Sequence, residues 1–166
     1  HTDPRKQLAE ITSQESVGLV VLPPPEGTRM PLLQRANIIS MAHSLSCPML
    51  AAKGTHPYKR LMVPFNNTPM ARVALETGID LAKQLNAELG VVIVQEPDFI
   101  HSAEDNGDNW VETALETVRN LSLAYKTPIA EHVLEGNPVI ETVKMAEQAD
   151  LMIIGSTTRE TGLFST

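Results

Sequence analysis

The sequence predicts an α/β protein, with an open parallel sheet and helices on both of its faces. Three observations support this fold class. Short apolar runs of strand length alternate with longer segments of helical periodicity along most of the chain. The runs are nearly continuous in Val, Leu, Ile and Ala, as expected of strands that are buried on both faces. Prolines and asparagines stand between the segments, at positions that form turns or begin helices.

The first third of the chain predicts two helices and two short strands. Asp3 is a suitable N-cap and Pro4 a suitable first residue for a helix that ends near Ser16. The other elements are an apolar strand over Val17–Leu22, predicted to be buried on both faces, a loop over Pro23–Gly27, a helix over Pro31–Ser46 and a strand over Met49–Ala52.

From Arg60 the pattern begins again and is more regular. Asn66, Asn67, Thr68 and Pro69 form a turn that caps a helix beginning near Met70. The predicted inner side of that helix comprises Val73, Leu75, Ile79, Leu81, Ala82 and Leu85. The remaining predictions are strands over Arg60–Phe65, Glu88–Val94, Ile129–Leu134 and Leu151–Ile154, helices over Met70–Asn86, Trp110–Tyr125 and Pro138–Gln148, and a mobile acidic loop over Glu96–Asp108.

The spacing of the strands predicts two units. Too few residues separate Ala52 from Arg60 to hold a crossover helix, so the strands on either side cannot be neighbours in one parallel sheet. They belong to two sheets, or one of them is an antiparallel edge. Asp3-Pro4 and Asn137-Pro138 also precede similar apolar runs at the same interval, about one domain length apart. We therefore expect a partial first unit over residues 1–54, a linker over 55–59 and a second unit over 60–166 that stops short of its own end.

Composition excludes several classes of function. The net charge of −7 argues against a nucleic-acid partner, which requires clustered Lys and Arg. No apolar run approaches the roughly 20 residues that span a bilayer, and no signal-peptide pattern opens the chain. Cys47 is the single cysteine, so an internal disulfide is excluded. These features predict a cytoplasmic chain without direct membrane insertion, including one at the cytoplasmic face of a membrane protein.

Several segments resemble the universal stress protein family. Tyr58–Pro64 is similar to the first strand of that family, and Asp150–Gly155 is similar to its strand that ends in glycine. Gly136-Asn137-Pro138 stands where the family has a Gly-x-Pro helix start. The resemblance covers most of residues 58–166, and Ser46–Leu50 resembles the segment before the last strand of a second copy. It implies a Rossmann-like sheet and a tandem arrangement.

The resemblance also implies where a nucleotide would bind, and this chain departs from that pattern. Nucleotide-binding members have Asp after the first strand, where this chain has Asn66. Their loop after the fourth strand has a second glycine, where this chain has Thr158. The candidate site is thus a degenerate nucleotide or anion loop formed by Asn66, Gly155, Ser156, Thr157 and Thr158. A plain helix cap and a strand-to-helix turn are the alternative interpretation of the same residues. We expect no tightly held cofactor; ATP is the one cofactor that the loop suggests.

Nothing in the sequence predicts catalysis. The five histidines lack metal-ligand spacing, and no nucleophile stands beside a base in a recognisable pattern. Two functions stay open. The resemblance to cytoplasmic tails of secondary transporters, of the cation–chloride cotransporter or amino-acid permease type, implies a non-catalytic regulatory and dimerisation domain. Its partners would be a second copy and the transmembrane domain of the same protein. The alternative is a free-standing, ATP-binding universal stress protein.

Overall fold

A computed structural model describes residues 4–14, 17–22, 41–42, 44–45, 47–52, 57–96 and 110–155. The chain divides into two compact units, over residues 1–56 and 57–166. The division falls beside Pro57, within the segment that the sequence analysis assigns to a linker. Each unit is described separately.

The first unit contains one helix and a pair of parallel strands. Helix α1 spans Pro4–Gln14, strand β1 spans Val20–Leu22 and strand β2 spans Met49–Ala51. The two strands pair in register from Val20 opposite Met49 to Leu22 opposite Ala51. Bonds from the N–H of Val20 to the Pro48 carbonyl and from the N–H of Ala52 to the Leu22 carbonyl extend the ladder. Residues 41, 42 and 44 are helical, and the rest of the helix predicted over 31–46 lies outside the described residues.

The prediction that this first strand is buried on both faces is wrong. Strand β1 is shorter than the apolar run, and the side chains of Leu19 and Val21 are 49% and 57% exposed. A strand residue is buried only where a helix or another sheet covers its face of the sheet. A run of apolar residues does not show whether one face or both faces are covered. The described part of this sheet has two strands, and its outward side chains remain accessible.

The second unit has the regular alternation that the sequence predicts. Its elements in chain order are β3 (Arg60–Pro64), α2 (Pro69–Leu85), β4 (Glu88–Gln95), α3 (Trp110–Tyr125), β5 (Ile129–Glu135), α4 (Pro138–Ala146) and β6 (Leu151–Met152). The predicted loop after β4 lies outside the described residues, apart from Glu96. Predicted and observed boundaries differ by one or two residues at most ends, which is the usual uncertainty of helix and strand termini.

The four strands of this unit form one parallel sheet in the order β5-β4-β3-β6. Strand β3 pairs with β4 on one side and with β6 on the other, and β4 pairs with β5. The chain therefore moves outward through β3, β4 and β5, and then crosses back to place β6 beside β3. The direction of winding reverses between β3 and β6, so the carboxyl ends of these two strands flank the topological switch point. In open α/β sheets this is the crevice where ligands bind.

Two layers of apolar side chains hold the helices on the sheet. Helices α2 and α3 cover one face, where Leu61, Leu75, Ile79 and Val118 are among the fully buried residues. Helix α4 covers the other face, where Met145 packs in a smaller cluster of buried residues. The fold is thus an α/β fold with a parallel sheet and helices on both faces.

The predicted inner side of α2 is partly wrong. Val73 is 54% exposed and Leu85 is 39% exposed, whereas the small residues Ala71, Ala74 and Gly78 are buried. The helix therefore presents a stripe of small residues to the sheet and approaches it closely. A built Cβ on Gly78 would lie 3.0 Å from a methyl carbon of Val63. Sequence periodicity favours large apolar residues as the inner face and misses a face of alanine and glycine.

Asp150 fastens the start of β6 to the start of β3. Its carboxylate accepts hydrogen bonds from the backbone N–H groups of Lys59 and Arg60, at 3.0 and 2.9 Å. The guanidinium of Arg60 lies 3.7 Å from the other carboxylate oxygen. The two backbone N–H donors lower the pKa of Asp150, and the positive charge of Arg60 lowers it further. This residue lies at the amino end of the sheet, away from the switch point, and its role is structural.

Candidate functional site

The loop after β3 forms one wall of the switch-point crevice. The N–H of Phe65, which is buried, donates to the carbonyl of Val92 and holds the end of β3 against β4. Asn66, Asn67 and Thr68 then turn the chain into α2, and Pro69 begins the helix. Because Pro has no N–H and favours a helical φ, it is well suited to this first position. The sequence thus places the loop directly above the carboxyl ends of the strands.

Asn66 is engaged within its own loop. Its side-chain oxygen accepts from the Thr68 hydroxyl at 2.8 Å and from the Thr68 backbone N–H at 3.4 Å. The Thr68 oxygen in turn accepts from the N–H of Ala71 at 3.3 Å and caps the helix. This is the helix-capping role that the sequence analysis gave as the alternative. The amide nitrogen of Asn66 has no partner among the described residues and is the part of the side chain left for a ligand.

Asn67 and Arg72 add a positive group to the same helix terminus. Asn67 adopts a left-handed conformation with φ of 59°, which asparagine tolerates better than most residues. Its side-chain oxygen accepts from Nε and Nη2 of Arg72 at 3.1 and 2.9 Å. A guanidinium in the first turn of a helix adds to the positive end of the helix dipole. The terminus has no acidic side chain in its first turn, so its local field favours an anion.

Gly155 packs against the first turn of α2. A Cβ built on this glycine would lie 2.3 Å from the carbonyl oxygen of Met70 and 3.0 Å from the nitrogen of Ala71. No side chain fits there unless the backbone moves, so glycine is required by packing alone. This close approach brings the end of β6 and the Asn66–Thr68 loop to the same helix terminus. Ser156, Thr157 and Thr158 lie outside the described residues.

Few backbone N–H groups of the described residues are free at this edge of the sheet. In the first turn of α2, the N–H of Met70 has no hydrogen-bond partner among the described residues, whereas Ala71 is capped by Thr68. The start of α4 offers less, because Asn137 accepts from the N–H groups of both Val139 and Ile140 at 3.0 and 3.2 Å. The N–H of Met70 cannot be predicted as a candidate from the sequence, since a backbone donor has no signal in the side chains.

The described residues contain no cluster of three or more His, Cys, Asp or Glu that could hold a metal ion. Within the described helices, none has the length and apolar character needed to cross a membrane.

Comparison with known proteins identifies the family. A family model described as the universal stress protein family matches residues 57–163. This chain belongs to the universal stress protein family. A universal stress protein from Methanocaldococcus jannaschii is 27% identical over 121 residues, which cover 66% of this chain and 71% of that protein.

Solved structures of the family share the fold. Universal stress protein UspA from Lactobacillus plantarum superposes with a TM-score of 0.54 and 16% identity, over 67% of this chain and 86% of that one. A universal stress protein from Archaeoglobus fulgidus superposes with a TM-score of 0.61 and 14% identity, over 92% of this chain and 55% of that one. At such identities the likeness concerns the fold, and the resemblance to the family predicted from the sequence is confirmed.

Proposed function

We propose that this universal stress protein chain is a non-catalytic regulatory and dimerisation module that acts at the cytoplasmic face of a membrane transporter. The non-catalytic part of the proposal is supported by the roles of the residues in the switch-point crevice. Its asparagine is hydrogen-bonded within the loop, and its glycine serves close packing against Met70. The start of α4 keeps its first N–H groups for its own cap. Each candidate residue that the structure describes thus has a structural role.

The tandem arrangement of the two units and the transporter host are supported in different ways. The superposition on the Archaeoglobus fulgidus protein extends over 92% of this chain, beyond the part that the family model matches. This supports a first unit built on the same plan as the second. The transporter host is inferred by family analogy, from the resemblance to transporter tails.

A specific observation favours the second candidate, an ATP-binding universal stress protein. The switch-point crevice has kept its architecture, with the N–H of Met70 unpartnered among the described residues and Arg72 in the first turn. Backbone N–H groups and a guanidinium are common phosphate ligands. Calorimetry with ATP and Mg²⁺ separates the two candidates. Weak or absent binding agrees with the non-catalytic module, whereas a dissociation constant in the low micromolar range would favour the second candidate.

The Asn66→Asp variant makes this measurement sharper. An aspartate keeps the oxygen that Thr68 donates to, so the cap survives while the acidic contact of nucleotide-binding members is restored. Tighter ATP binding in this variant would show that the crevice is a degenerate nucleotide site.

The host assignment is tested in cells of the source organism. An antibody against this chain is used to follow the natural gene product through membrane fractionation and an alkaline wash. Retention in the washed membrane supports a transporter domain. Recovery in the soluble fraction alone contradicts the host assignment and favours the free-standing protein.

A further inference from the structure

A cavity of about 570 Å³ that is broadly open to solvent lies at the amino ends of β4 and β5, the end of the sheet opposite the switch-point crevice. Its walls come from the two places where a helix runs into a strand: α2 into β4, and α3 into β5. Its volume falls in the range of about 300–1,000 Å³ that is usual for small-molecule sites. No residue of this cavity belongs to the crevice described above.

The cavity is formed by two helix ends of the same design. Asn86 after α2 and Lys126 after α3 both adopt left-handed backbone, with φ of 50° and 52°. The N–H of Ala87 donates to the carbonyl of Ala82 at 2.9 Å, and the N–H of Thr127 donates to that of Ser122 at 3.0 Å. These bonds close each helix end in a Schellman-type turn. The strands that follow are neighbours in the sheet, so backbone hydrogen bonds fix the walls before any ligand arrives.

The floor of the cavity is apolar. Ala82 and Leu89 are buried in the core, and Ile129 is half-buried beside them. Thr127 is the polar exception, but its groups are occupied internally. Its hydroxyl donates to the Tyr125 carbonyl, and its own carbonyl accepts from the Ser122 hydroxyl. The floor therefore favours contact with an apolar part of a ligand, because it offers no free hydrogen-bond partner to a polar group.

Positive charge flanks this floor. Lys83, Lys126 and Glu88 line the cavity, which gives a net charge of +1 at this place on a chain of net charge −7. The ammonium of Lys83 lies 5.2 Å from the centre of the Tyr125 ring. Neither lysine forms an ion pair with a described carboxylate. Both ammonium groups are thus available to an anion.

Lysines near helix carboxyl ends also offset the partial negative charge there. That role explains a positive charge at Lys83, which lies in the last turn of α2. It does not explain why Lys126 occupies a left-handed position, where glycine or asparagine is the ordinary choice. Lysine at this position, in place of glycine or asparagine, puts a cationic side chain beside the cavity.

We propose that this cavity binds a small amphipathic organic carboxylate. Its apolar body would lie on Ala82, Leu89 and Ile129, and its carboxylate would pair with Lys83 and Lys126. The proposal does not depend on the function assigned to the crevice, because the two sites share no residue.

The test uses decanoate as the probe and decanol as its neutral counterpart, titrated into the full chain and followed by calorimetry and by amide shifts in NMR spectra. We expect saturable decanoate binding with shifts at Leu89 and Ile129. Decanol, which has no carboxylate to pair with the lysines, should bind the parent about tenfold more weakly than decanoate does. Decanoate should bind the Lys83→Gln/Lys126→Gln variant about tenfold more weakly than it binds the parent. Lys144→Gln is the matched control, since Lys144 is an exposed lysine on α4 that pairs with Glu141. The affinity of the Lys144→Gln variant for decanoate should stay within about twofold of the parent's affinity.

A second variant tests the cavity without changing its charge. Ala87 lines the cavity and packs on the same face of the sheet as Leu89 and Ile129, so Ala87→Trp should fill the site and abolish binding of both probes. Several results would overturn the proposal: no saturable binding, equal affinity for decanol and decanoate, or unchanged decanoate affinity in the double lysine variant or in Ala87→Trp. If the double variant loses stability and the parent binds no decanoate, the lysines serve the helix ends only.

Discussion

Gly155 allows the sharpest test of how the switch point is assembled. Replacing it with alanine puts a Cβ 2.3 Å from the Met70 carbonyl oxygen, and ordinary contacts begin near 3.4 Å. The end of β6 or the first turn of α2 must therefore move by about 1.1 Å. Both partners are backbone atoms, and the N–H of Ile153 just before the glycine donates to the Met62 carbonyl, so neither partner can rotate away as a side chain would. Overpacking of this kind costs about 1–3 kcal/mol, and we expect the upper half of that range.

The assay follows the second unit alone. Trp110 is the single tryptophan and packs against the larger core of this unit, so its fluorescence reports the unfolding of that unit in urea or on heating. For a unit of this size, a loss of 2–3 kcal/mol lowers Tm by roughly 10 °C.

Two other glycines provide the controls. Gly78→Ala meets side-chain atoms at 3.0–3.4 Å, which can adjust, and it gains up to about 1 kcal/mol of helix propensity. Its net effect should stay within about 1 kcal/mol. Gly18→Ala meets nothing within 4 Å and lies in the first unit, so the Trp110 transition should not change. A Gly155→Ala variant as stable as Gly78→Ala would refute the close-packing explanation of the strand-end glycine.

Three further predictions follow from single contacts. Thr68→Ala removes the cap of α2 and should destabilise the second unit by about 1 kcal/mol in urea unfolding. Thr68→Ser keeps the hydroxyl and should retain most of the parent's stability. An equal loss of stability in both variants would show that the hydroxyl does not stabilise the helix. Asp150→Asn should lower Tm at neutral pH. Because the folded-state pKa of Asp150 is lowered, its contribution is full above the ordinary carboxyl pKa and is lost as the pH falls through the lowered value. The difference in Tm between parent and variant should therefore shrink below about pH 4, and a constant difference would contradict this. Leu50→Pro removes an N–H that the parallel ladder directs at β1, so backbone amides of β1 and β2 should exchange faster with solvent; unchanged exchange would show that the pairing is not stabilising.

The ladder between β1 and β2 also answers a question that the sequence leaves open. Met49–Ala52 is a short apolar strand, and the exposed edge of such a strand is usually paired or covered, which the same chain or a second copy could do. In the structure, one edge of this strand pairs with Val20–Leu22 of the same chain. Dimerisation through another surface stays a prediction.

The order of elements in the second unit was determined by local sequence. The helix over Trp110–Tyr125 was predicted with both of its boundaries, because helical periodicity and turn residues act within a few positions of each other. The four parallel strands and the separation into two sheets followed from crossover length, which is also a local quantity. The positions of Asn66 and Gly155 at strand ends were predicted in the same way.

What those residues do was decided by tertiary structure. That Gly155 contacts the backbone of Met70, and that Asp150 binds the amides at the start of β3, depend on strands distant in sequence becoming neighbours. The face that α2 buries follows from how closely a helix of small residues can approach the sheet, which periodicity does not encode. The cavity beside Lys126 exists because two helix ends of like geometry lie next to each other on adjacent strands. Propensity and pattern act along the chain, whereas close approach, pairing and enclosure depend on which distant segments meet.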